Sequence, residues 1–275
     1  INLSAHLKED KTWDWDRLRE SSRAAVRQLD DLVDITQTPI PEAMHSNQQT
    51  RAIGLGIMGF TDVLEKLGVC YESKEAYDLI DQLTEFISFH AIDQSAHLAA
   101  HLGSYPAFKG SGWSKGELPI DTIATLGESR GVKVKIDTSA KLDWAPLRKK
   151  VKKGMRNATL MAIAPTANIG HIAGTTQGID PQFAQIFSRS TLNGKFLEVN
   201  TNLVRDLKQL GVWDNVKDDV LAAQGDIQNI GVIPQSLKDV YKTSFQLSPY
   251  AFIEVAARAQ KWVDQAISRN MYLET

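Results

Sequence analysis

The sequence predicts one helix-rich α/β domain spanning residues 1–275, with few and buried strands. Three observations predict it. Apolar residues recur at three/four spacing over several long segments, above all 74–102. A continuous apolar run, Ala158–Ala164, is bounded by turn residues, the pattern of a strand buried on both faces. No linker, repeat or low-complexity tract divides the chain.

Taken in order, residues 1–8 read as a short strand. Asp14 or Asp16 caps a helix whose inward positions include Leu18, Val26, Leu29 and Val33. Pro39 and Pro41 are expected to end that unit. Residues 54–67 read as an apolar helix stopped by Gly68. Residues 74–102 form the long helix, closed by Gly103. Residues 104–119 read as an ordered loop, and 120–140 as a loose insertion with a strand-like alternation at Val132–Ile136. Leu142–Lys153 is a short helix with a basic end. After Ala158–Ala164, a strand is expected over Phe183–Ser190, with a turn at Asn193-Gly194. Asn200 or Thr201 caps a helix ending at Gly211, and further helices are expected at 216–223, 235–242 and from Pro249 to Ser268. The final residues, Asn270–Thr275, read as a strand. The abrupt start at Ile1 and this strand-like finish are expected of a piece of something larger.

Composition narrows the function classes. The 43% hydrophobic and 23% charged residues are ordinary for a globular protein, and the formal charge of −2 advertises neither nucleic acid nor an anionic membrane. No run approaches the ~18 apolar residues of a membrane span. Cys70 is the only cysteine, which excludes a disulfide or a cysteine-built zinc site within this chain. With no signal-peptide pattern, the expected setting is cytoplasmic and reducing.

Several stretches carry the residue types of chemistry. Gly54-Leu55-Gly56-Ile57-Met58-Gly59 fits the dinucleotide fingerprint, but the polar residues before it do not form the strand which that mechanism needs, so its glycines read as allowing close packing of a helix. His90, Asp93, His97 and His101 share one stripe of the long helix. No matching ligand set appears elsewhere, so no metal site is assigned. No nucleophile elbow is present, and Cys70 lacks a basic neighbour. The most informative stretch is Gly154–Pro181, where the expected strand empties at Pro165 into a small-residue loop, Thr166-Ala167-Asn168-Ile169-Gly170. Strand ends of this kind hold anions in α/β proteins, because backbone N–H groups approach them closely. The candidate phosphate-binding residues are therefore Pro165, Thr166, Ala167, Asn168, Ile169 and Gly170, with side-chain donors at Thr166 and Asn168 and an unobstructed N–H at Gly170.

Five motifs, in order, resemble the ribonucleotide reductase large (catalytic) subunit. Arg51–Asp62 is similar to the family's "RPIGLGVQGLAD". Arg156–Leu160 with Ala164–Ala167 is similar to its "RNSTL" strand and "APTAT" loop. Gly178-Ile179-Asp180-Pro181 is similar to "SIEP". Asn193–Phe196 with Val199-Asn200 and Leu203–Trp213 is similar to the "SGEF", "VNP" and following helix. Gln260–Asn270 is similar to "QKWIDQSxSLN". The resemblance covers essentially the whole chain, and it implies the second, five-stranded half of a ten-stranded α/β barrel. Where the family loop reads "PTATIS", this chain has Asn168 and Gly170 in place of hydroxyl residues.

The resemblance also implies an activity and its partners: radical reduction of ribonucleoside diphosphates to deoxyribonucleotides, with this part binding the substrate phosphates. It implies no catalytic residue, metal or cofactor in this chain, and no activity for it alone. The N-terminal half of the large subunit would complete the barrel. A radical-generating small subunit would supply the radical, and thioredoxin or glutaredoxin the electrons. Two alternatives stand beside this expectation: a fragment of a cobalamin-dependent reductase, its radical drawn from adenosylcobalamin, and a non-catalytic relic kept for assembly or nucleotide binding.

Overall fold

The protein is described from a computed structural model, covering residues 1–191 and 194–272. In chain order its helices are α1 (Trp15–Ile35), α2 (Pro41–Thr50), α3 (Phe60–Leu67), α4 (Lys74–Leu102), α5 (Gly112–Lys115), α6 (Thr122–Arg130), α7 (Trp144–Val151) and α8 (Ala167–Ala173). Strands β1 (Ile186–Thr191) and β2 (Gly194–Val199) follow, then α9 (Thr201–Gln209), α10 (Trp213–Ala222), α11 (Gln235–Val240) and α12 (Pro249–Gln260).

The long helices form where the apolar spacing places them. Asp14 caps α1 by accepting from the Arg17 amide, and α1 buries Leu18, Ser22, Val26 and Asp30, one residue per turn. Ser73 caps α4, which packs against α1, α7 and α12 and forms the spine of the main core. A second, smaller core gathers Ile186, Leu203, Leu207, Val216, Val220 and Tyr241 around β1 and α9–α11.

The largest departure from expectation lies at 54–58, the start of the expected 54–67 helix. This stretch is extended rather than helical, and α3 begins only at Phe60, after Gly59 turns the chain in the left-handed region at φ 78°. The cause is a close approach between backbones. A Cβ on Gly56 would lie 2.6 Å from the Ala162 carbonyl oxygen, and one on Gly54 2.9 Å from the Ala162 Cβ. The two glycines therefore admit the Ala158–Ala164 stretch alongside them. Leu55 N–H donates to Leu160 O at 2.7 Å, and Ala162 N–H donates to Leu55 O at 3.0 Å. On the other side Leu3 N–H donates to Met58 O and Met58 N–H to Ile1 O. Three extended segments thus run parallel, in the order 1–2, 53–58, 159–162, joined by single bridges at Asn2–Met58 and Leu55–Met161.

Five regular strands were expected; the only regular sheet among the described residues is the antiparallel pair β1–β2. The Ala158–Ala164 stretch does not become one because side chains take the place of a neighbouring strand. The Asp264 carboxylate accepts from the Leu160 and Met161 amides, each at 2.7 Å, and Gln265 donates to the Ile53 and Met161 carbonyls.

The same contacts explain why α12 stops at Gln260 rather than Ser268. Lys261 and Trp262 turn inward, the lysine to Asp81 and the Asp137 carbonyl, the fully buried indole to Asp81 and onto the Trp144 ring. Pro41 starts α2 instead of ending the preceding unit, since a proline at the first helical position sacrifices no internal bond. Residues 122–130 form α6, and Val132–Ile136 is irregular with Val132 exposed. Residues 3–6 make a single 3-10 turn instead of a strand. The expected turn at Asn193-Gly194 and the end of the expected strand at Asn270–Thr275 lie partly outside the described residues, and Asn270–Tyr272 is irregular.

Candidate phosphate-binding site

The parallel run of the three extended segments sets the location of the loop. Segment 53–58 ends at Gly59, and segment 159–162 runs on to Pro165, so both empty on the same side. Ligands bind at this side of parallel α/β structures, because the loops and helix starts after the strands converge there.

Thr166 is the pivot. It sits in the left-handed region at φ 44°, ψ 30°, costly for a β-branched residue by about 1–3 kcal/mol. Its Oγ1 accepts from the Gly178 amide at 2.8 Å, which leaves the hydroxyl proton free to donate. This turn starts α8. The amides of Ala167, Asn168 and Ile169 fall in the first turn, where a helix supplies no internal acceptor. Pro165, Ala167, Asn168 and Ile169 are all exposed, and Thr166 is half-buried.

Gly170 behaves differently from expectation. It is buried, and its N–H donates to Thr166 O at 2.8 Å. A Cβ there would lie 3.1 Å from Thr175 O. The residue is glycine because the returning chain passes close by, and its N–H closes the turn rather than facing outward.

The loop is braced from below. Thr175 N–H donates to Gly170 O at 2.9 Å, and Gly59 N–H donates to Thr176 O at 3.0 Å. Asp62, in the first turn of α3, accepts from the Thr176 amide at 2.6 Å and from its hydroxyl at 2.5 Å. Thr61 and Tyr71 donate to the carbonyls of Asp180 and Ile179. Asp180 pairs with Arg269 at 2.8 Å, and burial raises its carboxyl above the usual range. Beyond α8, a cavity of about 260 Å³ is lined by Asp62, His171, Thr175, Thr176, Asp180 and Glu198 among others. Sequence reasoning gave no role to Asp62 or Thr176; the signals available were the Gly-x-x-Asp spacing at Gly59–Asp62 and the Gly174-Thr175-Thr176 cluster.

The other candidates have structural occupations. Asp93 is held by Arg23 and Lys150, His90 lies against Phe86 and Phe89, and His97 packs edge-to-face on His101. Among the described residues no group of three metal-capable side chains converges. Burial pushes the Cys70 thiol up, away from the reactive thiolate. The glycine fingerprint is itself an extended segment, and the close packing its glycines permit is of one extended segment against another, not of a helix. No helix among the described residues is long and apolar enough to cross a membrane.

A second motif pair is structural. The Arg51 guanidinium, nearly enclosed, donates to Asp30 and Asp34; Arg156 Nε donates to Asp30 at 3.1 Å; and Asn157 donates to Asp30 Oδ1 at 2.9 Å. Arg51 in turn holds the Asp34 carboxyl below its ordinary value.

Comparison with known proteins gives the family of the fold. A family model described as the ribonucleotide reductase barrel domain matches residues 1–275. The ribonucleoside-diphosphate reductase subunit alpha of Chlamydia pneumoniae is 44% identical over 99% of this chain and 26% of its own length. The large subunit of Caenorhabditis elegans is 35% identical over 99% of the chain and 34% of its own. Large chain 2 of Saccharomyces cerevisiae is 35% identical over 96% and 29%. The chain thus spans only a quarter to a third of the length of these relatives. Their names give the cobalamin alternative no support. With three parallel segments, a small sheet and a helical shell arranged as part of an α/β barrel, the chain belongs to the ribonucleotide reductase barrel-domain family.

Proposed function

We propose that this chain is the substrate-phosphate-binding part of a ribonucleoside-diphosphate reductase large subunit. The observation that carries the reading is the 165–170 turn, where the half-buried Thr166 and the first-turn amides of the exposed residues 167–169 stand at the end of the parallel segments. Amides and a hydroxyl of this kind suit the oxygens of a diphosphate. Asn168 adds a side-chain donor. Gly170 serves as the packing residue that lets the turn close, so its departure from the family wording is no sign of a degenerate loop.

The chemistry needs more than this chain holds. Replacing a ribose 2′-hydroxyl by hydrogen takes two electrons, and a single, half-buried cysteine is not a dithiol. The rest of the large subunit would carry the radical cysteine and the dithiol. A radical-generating small subunit would start the reaction, and thioredoxin or glutaredoxin would restore the dithiol, in the cytoplasm. The test is Asn168→Glu in the complete large subunit. A negative charge in the loop is expected to weaken nucleoside diphosphate binding at least tenfold, and unchanged affinity would refute the reading.

A further inference from the structure

Resting on that reading, we infer that Asp62 is a positioning residue for the phosphate loop. One of its carboxylate oxygens, Oδ2, takes both the amide and the hydroxyl of Thr176. With Gly59 N–H on the Thr176 carbonyl, three polar atoms of Thr176 are fastened to the start of α3. The fastening reaches the loop in one step at each end of the 166–170 turn. Thr175 N–H holds Gly170 O, and Gly178 N–H holds Thr166 Oγ1. Residues 175–178 thus grip both ends of the turn, and Asp62 grips residues 175–178.

The grip matters because Thr166 stands in a left-handed conformation that its own side chain disfavours. Such a conformation persists only while its surroundings over-determine it. Without the Asp62 carboxylate, Thr176 loses two of its three anchors, Thr166 can relax, and the amides of 167–169 lose their common direction. Both bonds that the Asp62 carboxylate accepts come from Thr176, so it acts through Thr176 and the turn.

The experiment is steady-state kinetics and binding with the complete large subunit and its radical-generating partner. Asp62→Ala is expected to raise KM for a nucleoside diphosphate 10–100-fold while kcat at saturation stays within about threefold. Asp62→Asn keeps an acceptor oxygen and is expected to recover most of the loss. A merely structural role would weaken nucleoside and nucleoside diphosphate alike, whereas the positioning role weakens the diphosphate far more. Thr176→Val removes the hydroxyl bond alone and is expected to raise KM three- to tenfold, which keeps the test open should Asp62→Ala fold poorly. Unchanged KM in both variants, while Asn168→Glu weakens binding, would overturn the inference and leave the phosphate loop standing. An unaffected Asn168→Glu would bring down both. Equal loss for nucleoside and diphosphate, unrescued by Asn, would overturn the positioning role as well.

Discussion

Glu65 and Asn202 meet across the seam between the two cores, the Asn202 side-chain amide donating to Glu65 Oε2 at 2.8 Å. The other carboxylate oxygen accepts from Asn200, whose own Oδ1 caps α9. Glu65 is buried, and its partners are neutral amides whose hydrogen bonds offset only part of the loss of hydration. Burial, helped by the neighbouring charges of Asp62 and Asp206, raises its carboxyl from 4.5 to about 8.

That shift fixes the sign of a pH effect. Between about pH 4.5 and 8 the folded chain keeps a proton on Glu65 that the unfolded chain has released. Stability contributed by this group is therefore present at acid pH and falls as pH rises, by up to about 1.4 kcal/mol per unit. Lys8, Lys11, Lys66, Arg205, Glu9 and Asp206 line the same cavity as Glu65, so the comparison must be made against a variant of Glu65 alone. Glu65→Gln is expected to flatten this slope in denaturant titrations across pH 5–8. An unchanged slope would contradict the assignment.

Asp264 is expected to matter through the backbone it holds. Asp264→Asn offers one acceptor to two amides, leaving a buried N–H unsatisfied at a cost of about 1–3 kcal/mol. Chemical denaturation of the variant measures this directly. Burial raises the Asp264 carboxyl to about 6 against the pull of its two N–H donors, so its contribution has the same acid-favouring sign as that of Glu65.

Gly56→Ala is expected to destabilise by about 1–3 kcal/mol or more, because the added methyl would stand 2.6 Å from a backbone carbonyl that cannot swing away. Gly68→Ala meets nothing within 4 Å, although its φ of 76° still strains an alanine. A larger melting-temperature loss at Gly56 than at Gly68 is the expected outcome.

Asp30→Ala is expected to cost about 3–5 kcal/mol, since it removes the buried carboxylate that Arg51, Arg156 and Asn157 share and leaves the nearly enclosed Arg51 only the exposed Asp34 as an acidic partner. Thermal unfolding of the variant is the check.

How much of this was legible follows from the range of the forces. Helices α1, α4 and α9 declare themselves locally, through caps at Asp14, Ser73 and Asn200 and through apolar spacing. Residues 53–59 do not, because an apolar run with three glycines suits a helix or an extended segment equally. What decides is the Ala162 backbone more than 100 residues away. The early end of α12 is hidden for the same reason: Lys261, Trp262 and Asp264 are polar or amphipathic residues whose partners, Asp81 and Leu160–Met161, lie far off in sequence. The proposed phosphate loop stands out by composition, but the role of Gly170 does not, since only the fold shows that Thr175 passes beside it.

The central claim, that the 165–170 turn receives the diphosphate, is tested most directly by hydrogen exchange in the complete large subunit. On saturation with a nucleoside diphosphate, but not with the nucleoside, amides 167–169 should exchange more slowly. Unchanged exchange there at full occupancy would contradict the account.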